Sequence, residues 1–192
     1  MRIIAGKFKR RNLLTLPGTE ITRPTSDRVK ENIFNLLQHS ILDHTILDLF
    51  SGSGALGLEA LSRGAKKVFF VEENKGAINC IQKNLDNLAA EKDSYEIVQT
   101  QVQNFLAKPN IELQGKISLI FADPPYHSPW YETALNQLTN SNLCKDKCLV
   151  MLEMPSELIT DSFNLSNRWT LETIKKYGRT KIGIWQFHAL PQ

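Results

Sequence analysis

A chain of 192 residues can bury one α/β domain with a small appendage, and is too short for a dinucleotide-binding domain joined to a separate substrate domain. Its 42% hydrophobic and 22% charged content is that of an ordinary globular protein, with no apolar run long enough to span a membrane. The net charge of +3 hides an asymmetry, since residues 1–30 carry eight Lys or Arg against Glu20 and Asp27 and the remainder is net acidic. A basic arm on an acidic body points to a polyanionic partner, the alternative being a merely solvated terminus.

Met1-Arg2-Ile3-Ile4 leads into Lys7 to Arg11 instead of an apolar signal core, so the expected compartment is the cytoplasm. Cys80, Cys144 and Cys148 are odd in number and lack the partners of a zinc site, so they read as reduced packing residues and no metal is expected. Arg2 to Leu16 has apolar pairs around Gly6 and a cluster of Lys7, Lys9, Arg10 and Arg11, the pattern of a basic hairpin that contacts phosphates, closed by Pro17-Gly18. Arg23-Pro24-Thr25-Ser26-Asp27 approaches a helix with Val29, Ile33, Leu36 and Leu37 on one face, which leads into a strand at Thr45.

From Thr45 to Arg63 the pattern is a strand, a glycine turn and a helix beginning at Ala55. In an open parallel sheet the crevice beyond the strand ends takes the ligand, so the turn after Phe50 faces the expected site. Gly52, Gly54 and Gly57 spell G-x-G-x-x-G with Glu72 at the interval of a nicotinamide dinucleotide site. Asp48 argues otherwise: its carboxylate would repel a pyrophosphate and attract the sulfonium and ammonium of S-adenosylmethionine, unless it serves only to cap the turn.

Lys67 to Glu72 reads as a second strand, with Glu72 at its end offering two acceptor oxygens to a ribose diol. Lys75 to Leu88 follows as a helix, Tyr95 to Gln99 as a third strand, and Gln101 and Val102 as the next strand-end loop. Ile117 to Ala122 reads as a buried fourth strand ending in Asp123-Pro124-Pro125-Tyr126. Pro129 to Leu138 reads as a helix, Cys148 to Glu153 as a fifth strand, a segment near Glu157 as a poor helix, and Trp169 to Tyr177 with Lys181 to Phe187 as a closing antiparallel hairpin.

The tetrapeptide carries chemistry. An exocyclic amine on a base is a poor nucleophile because its lone pair is delocalised, and two acceptors aimed at its N–H bonds favour the tetrahedral form that attacks a methyl group. Asp123 and the Pro124 carbonyl supply them, the rings of Pro124 and Pro125 stiffen the loop, and Tyr126 can stack on an extruded base. His127 is read as a surface residue without a role.

The segments RIIAGKFKRR, RPTSDRVKENIF, LDLFSGSGALGLEALSRGA, FVEEN, FADPPY and VMLEMPSE together resemble the bacterial RsmD family, the 16S rRNA (guanine-N2)-methyltransferases, within the class I S-adenosylmethionine-dependent methyltransferases. The resemblance implies a Rossmann-like α/β fold: a seven-stranded, mostly parallel sheet with its last strand antiparallel, an extension over residues 1–44 and a donor-binding domain over residues 45–192. It implies donor contacts from Asp48, Ser51, Gly52, Ser53, Gly54, Glu72, Glu73, Gln101 and Val102, catalysis by Asp123, Pro124, Pro125 and Tyr126, and RNA contacts from Arg2, Lys7, Lys9, Arg10, Arg11, Arg23 and Arg28. Asn74 and Gln101 depart from the common family pattern, which often has Asp at the first and Asp or Asn at the second, and both amides can still hydrogen-bond.

The implied partner is 16S rRNA, free or within the small subunit or an assembly intermediate, met by a monomer, with Lys175, Lys176 and Lys181 as further candidates for docking it. Two other readings use the same residues: a DNA adenine-N6 methyltransferase, against which the small size and absent target-recognition domain argue, and a ribosome-assembly RNA-binding module without essential catalysis.

Overall fold

The computed structural model describes residues 1–16, 27–126 and 129–190. Seven strands make one sheet: β1 Thr45–Leu49, β2 Lys67–Glu72, β3 Tyr95–Gln99, β4 Ile117–Ala122, β5 Cys144–Pro155, β6 Trp169–Tyr177 and β7 Thr180–Phe187, in the order β3-β2-β1-β4-β5-β7-β6. The strands from β3 to β5 pair in parallel, and β7 inserts antiparallel between β5 and β6. This is the Rossmann-like class I methyltransferase topology, with the last strand antiparallel as expected. All of β4 is buried, which is why its sequence is continuously apolar instead of alternating.

Helices cover both faces. On one side α1 Asp27–Leu36, α2 Ala55–Ser62 and α3 Lys75–Asn87 pack Ile33, Phe34, Leu58, Leu61, Ile81 and Leu85 against Ile46, Phe70 and Phe121 of the sheet. On the other, α4 Val102–Ala107 and α5 Trp130–Ser141 pack Phe105, Leu106, Leu135 and Leu138 against Leu47, Ile120 and Val150. Because β1, β2 and β4 run in parallel, their carboxyl ends meet at one edge, and the loops leaving that edge build the site.

Several expectations need correction. The N-terminal segment folds back on itself as an irregular hairpin and not a regular ladder: one isolated antiparallel bridge joins Arg2 and Asn12, and the N–H groups of Ile3, Arg10 and Leu13 donate to the carbonyls of Arg11, Ile3 and Met1, each at 2.9 Å. Other backbone donors of the segment are spent on α2. The N–H groups of Ile4 and Ala5 donate to the Glu59 carboxylate at 2.8 and 3.0 Å, and those of Lys7 and Phe8 donate to the carbonyl and hydroxyl of Ser62 at 2.7 and 2.9 Å. Gly6 is required at this crossing, since its φ is +82° and a Cβ there would lie 1.8 Å from the Ser62 carbonyl oxygen.

In α1, Leu36 is 42% exposed, whereas Lys30 and Phe34 are buried. Lys30 turns inward because Glu59, itself fully buried, pairs with it at 3.3 Å and with Arg63 at 2.8 Å. A short 3-10 turn over Gln38–Ser40 separates α1 from β1. Helix α4 occupies what reads in sequence as a loop, and residues around Glu157 form a turn instead of a helix. Strand β5 starts at Cys144, before the expected Cys148, because a register shift against β4 and a φ of +61° at Lys147 absorb extra residues. Pro17-Gly18 and Arg23 to Ser26 lie outside the described residues. No helix of the described residues is long and apolar enough to cross a membrane.

Glu59 therefore fastens the N-terminal segment to the sheet. Replacing Glu59 with Ala leaves Lys30 buried without its carboxylate and should cost about 3–5 kcal/mol in urea unfolding; an unchanged midpoint would show that the segment is held by other means.

Candidate active site

The turn after β1 is closed from two sides. The buried Asp48 carboxylate accepts the Gly57 N–H at 3.0 Å, tying β1 to the start of α2. A side chain at Gly57 could not fit, since its Cβ would stand 2.3 Å from the Phe70 ring and 2.9 Å from Asp48 Oδ2. Ser51 donates its hydroxyl to the Asp48 carbonyl at 2.6 Å, and its N–H to the Val71 carbonyl at 3.1 Å. The turn-holding use of Asp48 is thus realised, and burial, together with the nearby Asp123 and Glu72, pushes its pKa well above the ordinary carboxylate value.

At the end of β2, Glu72 accepts the Gly52 N–H at 2.8 Å through one oxygen and the N–H groups of Glu73 and Asn74 at 3.0 and 2.8 Å through the other. Asn74 accepts the Ala77 N–H at 3.1 Å and so caps α3, a duty the amide performs as an aspartate would. With two donors on Oε1 and one on Oε2, the remaining acceptor capacity of Glu72 lies on Oε2.

Between these ends lies a cleft of about 350 Å³, within the range of pockets for nucleoside-sized ligands. Of the expected residues Glu72, Glu73, Gln101, Val102, Asp123 and Pro125 line it. Asp48, Ser51, Gly52, Ser53, Gly54, Pro124 and Tyr126 do not: Asp48 and Ser51 are buried in the turn, Pro124 is buried, and the Tyr126 hydroxyl is 2.9 Å from Thr180 Oγ1. Gln101 stands at the N-cap of α4 and Val102 is its first residue, so both lie on a helix start instead of a free loop. A Cβ at Gly52, where φ is +55°, would meet nothing within 4 Å, so the turn leaves open space for a ligand. That opening, the Glu72 Oε2 acceptor and the apolar Val71 and Val102 walls fit an adenosyl methyl donor.

Three residues escape the sequence reading. Phe50 lines the cleft with a φ of +57° and meets Trp130 edge-on, ring centres 5.6 Å apart. A left-handed φ at a bulky residue stores strain, and such strain concentrates at functional sites. Nothing in the sequence marks it, although Trp130 follows the tetrapeptide closely enough to be suspected. Glu153 is the third: Ala122 pairs with Leu152 in parallel register, so Asp123 and Glu153 leave the two strands side by side.

Asp123 is open to solvent at the lip of the cleft, yet its carboxyl sits low among the strand ends, and loss of water there pushes its pKa up to about 6. Burial and then the charge of Asp123 push Glu153 up to about 8. Two carboxyls so placed resist carrying two negative charges at once, and they titrate as a pair.

The expected RNA-contacting residues sit elsewhere. Arg2 pairs with Asp27 at 2.7 Å, Lys7 with Glu91 at 3.7 Å, and Arg11 donates to the Asn87 carbonyl; Lys9, Arg10 and Arg28 are exposed. Arg23 and His127 lie outside the described residues.

Asp48 binds its proton more tightly folded than unfolded, so its contribution to stability is fully present below its ordinary value of 3.8 and is lost as pH rises through its folded value. Asp48→Asn, which keeps an oxygen for Gly57, should raise the melting temperature at pH 8 and give no gain near pH 4; a lower melting temperature at pH 8 would show that the turn needs the charge.

The chain is similar to known proteins over nearly its full length. Residues 1–186 match the family described as Conserved hypothetical protein 95. The chain is 38% identical to Ribosomal RNA small subunit methyltransferase D of Haemophilus influenzae over 97% of its own length and 93% of the relative's, and 33% identical to the Escherichia coli K12 protein of that name over 98% and 91%. An E. coli structure described as a methyltransferase, yhhF, superposes with a TM-score of 0.83 at 34% identity over 99% of both chains. A structure described as a methyltransferase, SMU.776, complexed with S-adenosylhomocysteine has a TM-score of 0.70 at 13% identity, over 93% of this chain and 52% of that one, a likeness of fold alone. The chain belongs to the Conserved hypothetical protein 95 family, the RsmD family of ribosomal RNA small subunit methyltransferases.

Proposed function

We propose that the protein transfers a methyl group from S-adenosylmethionine to the exocyclic N2 of one guanine in 16S rRNA, guanine 966 being the position that the family resemblance implies. The observation that carries this reading is the placement of Asp123, first residue of Asp123-Pro124-Pro125-Tyr126, on the same cleft as Glu72 and Gln101. Support for the substrate class comes from the family and from the names of the relatives.

When bound, the donor supplies an electrophilic methyl on a sulfonium. The chain holds it: Glu72 offers its Oε2 to a ribose hydroxyl, Gln101 and Val102 border the base, and the Gly52 turn leaves room for the remainder. Asp123 accepts one N–H of the amine and takes its proton once nitrogen has gained the methyl group. The Pro124 carbonyl, which has no hydrogen-bond partner among the described residues, is the candidate for the second N–H. Phe50 and Trp130 wall the cleft against water, and Tyr126 offers a ring to the base. Residues 45–192 form the donor and catalytic unit in this reading, and residues 1–44 an extension that contacts substrate.

Asp123→Ala should abolish transfer, by at least about 100-fold, while calorimetric affinity for S-adenosylhomocysteine stays close to that of the unsubstituted protein. Loss of donor affinity in that variant would assign Asp123 to the donor instead. Because the anion is the acceptor, single-turnover transfer should rise with pH through about 6, and a rate constant from pH 5 to 7 would remove Asp123 from the proton step.

A further inference from the structure

Among the described residues, the basic tip of the N-terminal arm lies away from the catalytic loop. Lys7 and Phe8 bond Ser62, the last residue of α2, and Arg11 bonds Asn87, the last residue of α3. Both helices start at the catalytic edge and run back along the sheet. Their lengths, 8 and 13 residues, put the arm's tip on the order of 12–20 Å from that edge.

The turn between β6 and β7 lies at the catalytic edge itself. Thr180 meets the Tyr126 hydroxyl at 2.9 Å, and the Arg179 carbonyl accepts the Ser156 N–H at 2.8 Å, fixing the tip against both the tetrapeptide and the end of β5. Lys175, Lys176 and Arg179 are exposed, and none pairs with a carboxylate among the described residues. Glu157, the exposed acid after β5, accepts from its neighbour Ser156. Lys181 does not belong to this surface, because it is buried and donates to the Leu158 carbonyl.

We propose that the tip of the β6–β7 hairpin is a phosphate clamp for the RNA strand that flanks the target base, with Arg179 as its principal contact and Lys175, on the same face of the sheet as Thr180, beside it. The inference rests on the proposed reaction and adds the surface by which that site holds its substrate. A base turned out onto Tyr126 brings its neighbouring phosphates to this edge, and a guanidinium engages phosphate oxygens in a two-point contact that a lysine cannot reproduce. The bond from Thr180 to Tyr126 then couples strand capture to the position of the stacking ring. The arm, farther away, serves a more distant stretch of RNA.

The test uses the full chain, small-subunit rRNA lacking the modification, and filter binding across a salt series, with methyl transfer measured in parallel. Arg179→Ala should raise the RNA Kd and KM about tenfold and lower the slope of log affinity against log salt by about 0.7, with donor affinity retained. Arg179→Lys should restore the slope but only part of the affinity. Thr180→Val should raise KM without changing the slope, since it removes the tether and no charge. An Arg179→Ala protein with unaltered Kd and slope would overturn the clamp, as would a Thr180→Val protein with unaltered KM. Absence of transfer by the unsubstituted protein would defeat the proposed reaction instead, and the binding series would still decide the clamp.

Discussion

The hydrogen bond from Gly57 to the buried carboxylate of Asp48 is the constraint on which the site depends. It joins the end of β1 to the first turn of α2 and so determines the path of Phe50 to Gly54, which Glu72 then grips from the neighbouring strand through Gly52. Without a side chain at Gly57, α2 can approach Phe70 closely enough for that bond to form. Burying a carboxyl is costly, and the rise in its pKa expresses that cost. Asp48 therefore acts on the donor site from behind the turn, bonded to backbone and outside the cleft lining.

Helix α2 has a second task at its other end. Glu59, buried within it, gathers the N–H groups of Ile4 and Ala5, the ammonium of Lys30 and the guanidinium of Arg63. One carboxylate thereby satisfies donors from three segments, which is the condition under which a buried charge is tolerable. Asn84 of α3 does related work nearer the site, accepting the Leu14 N–H and donating to the carbonyls of Leu14 and Ser53. The N-terminal segment is consequently laid along α2 and α3, and its basic tip is held at the end of the molecule opposite the cleft.

Much of the fold is legible in the sequence, because strands buried on both faces must be continuously apolar and strand-end turns must carry glycine or proline. Ile117 to Ala122 and the turn at Gly52 are read correctly for these reasons. What is not legible depends on contacts across the fold. Lys30 reads as a solvated position until Glu59 is placed beneath it, and α4 is too short, at six residues, to show a helical period. The register shift in β5 falls in Lys145, Asp146 and Lys147, which resemble a loop. Within the site, Glu72 and Asp123 are found because each ends a strand, whereas Glu153 lies inside a strand and acquires meaning only from the pairing that sets it beside Asp123. Phe50 is missed because a backbone angle leaves no trace in residue type.

The account makes the cleft at the ends of β1, β2 and β4 a methyl-transfer site for an amine on an RNA base. Its most direct test is incubation of the purified protein with methyl-labelled S-adenosylmethionine and, separately, undermodified small subunits, naked 16S rRNA and duplex DNA, followed by digestion and identification of the labelled nucleoside. The account predicts N2-methylguanosine from the subunits or the rRNA. Labelled N6-methyladenine from DNA, or no labelled nucleoside from any RNA despite measurable donor binding, would contradict it.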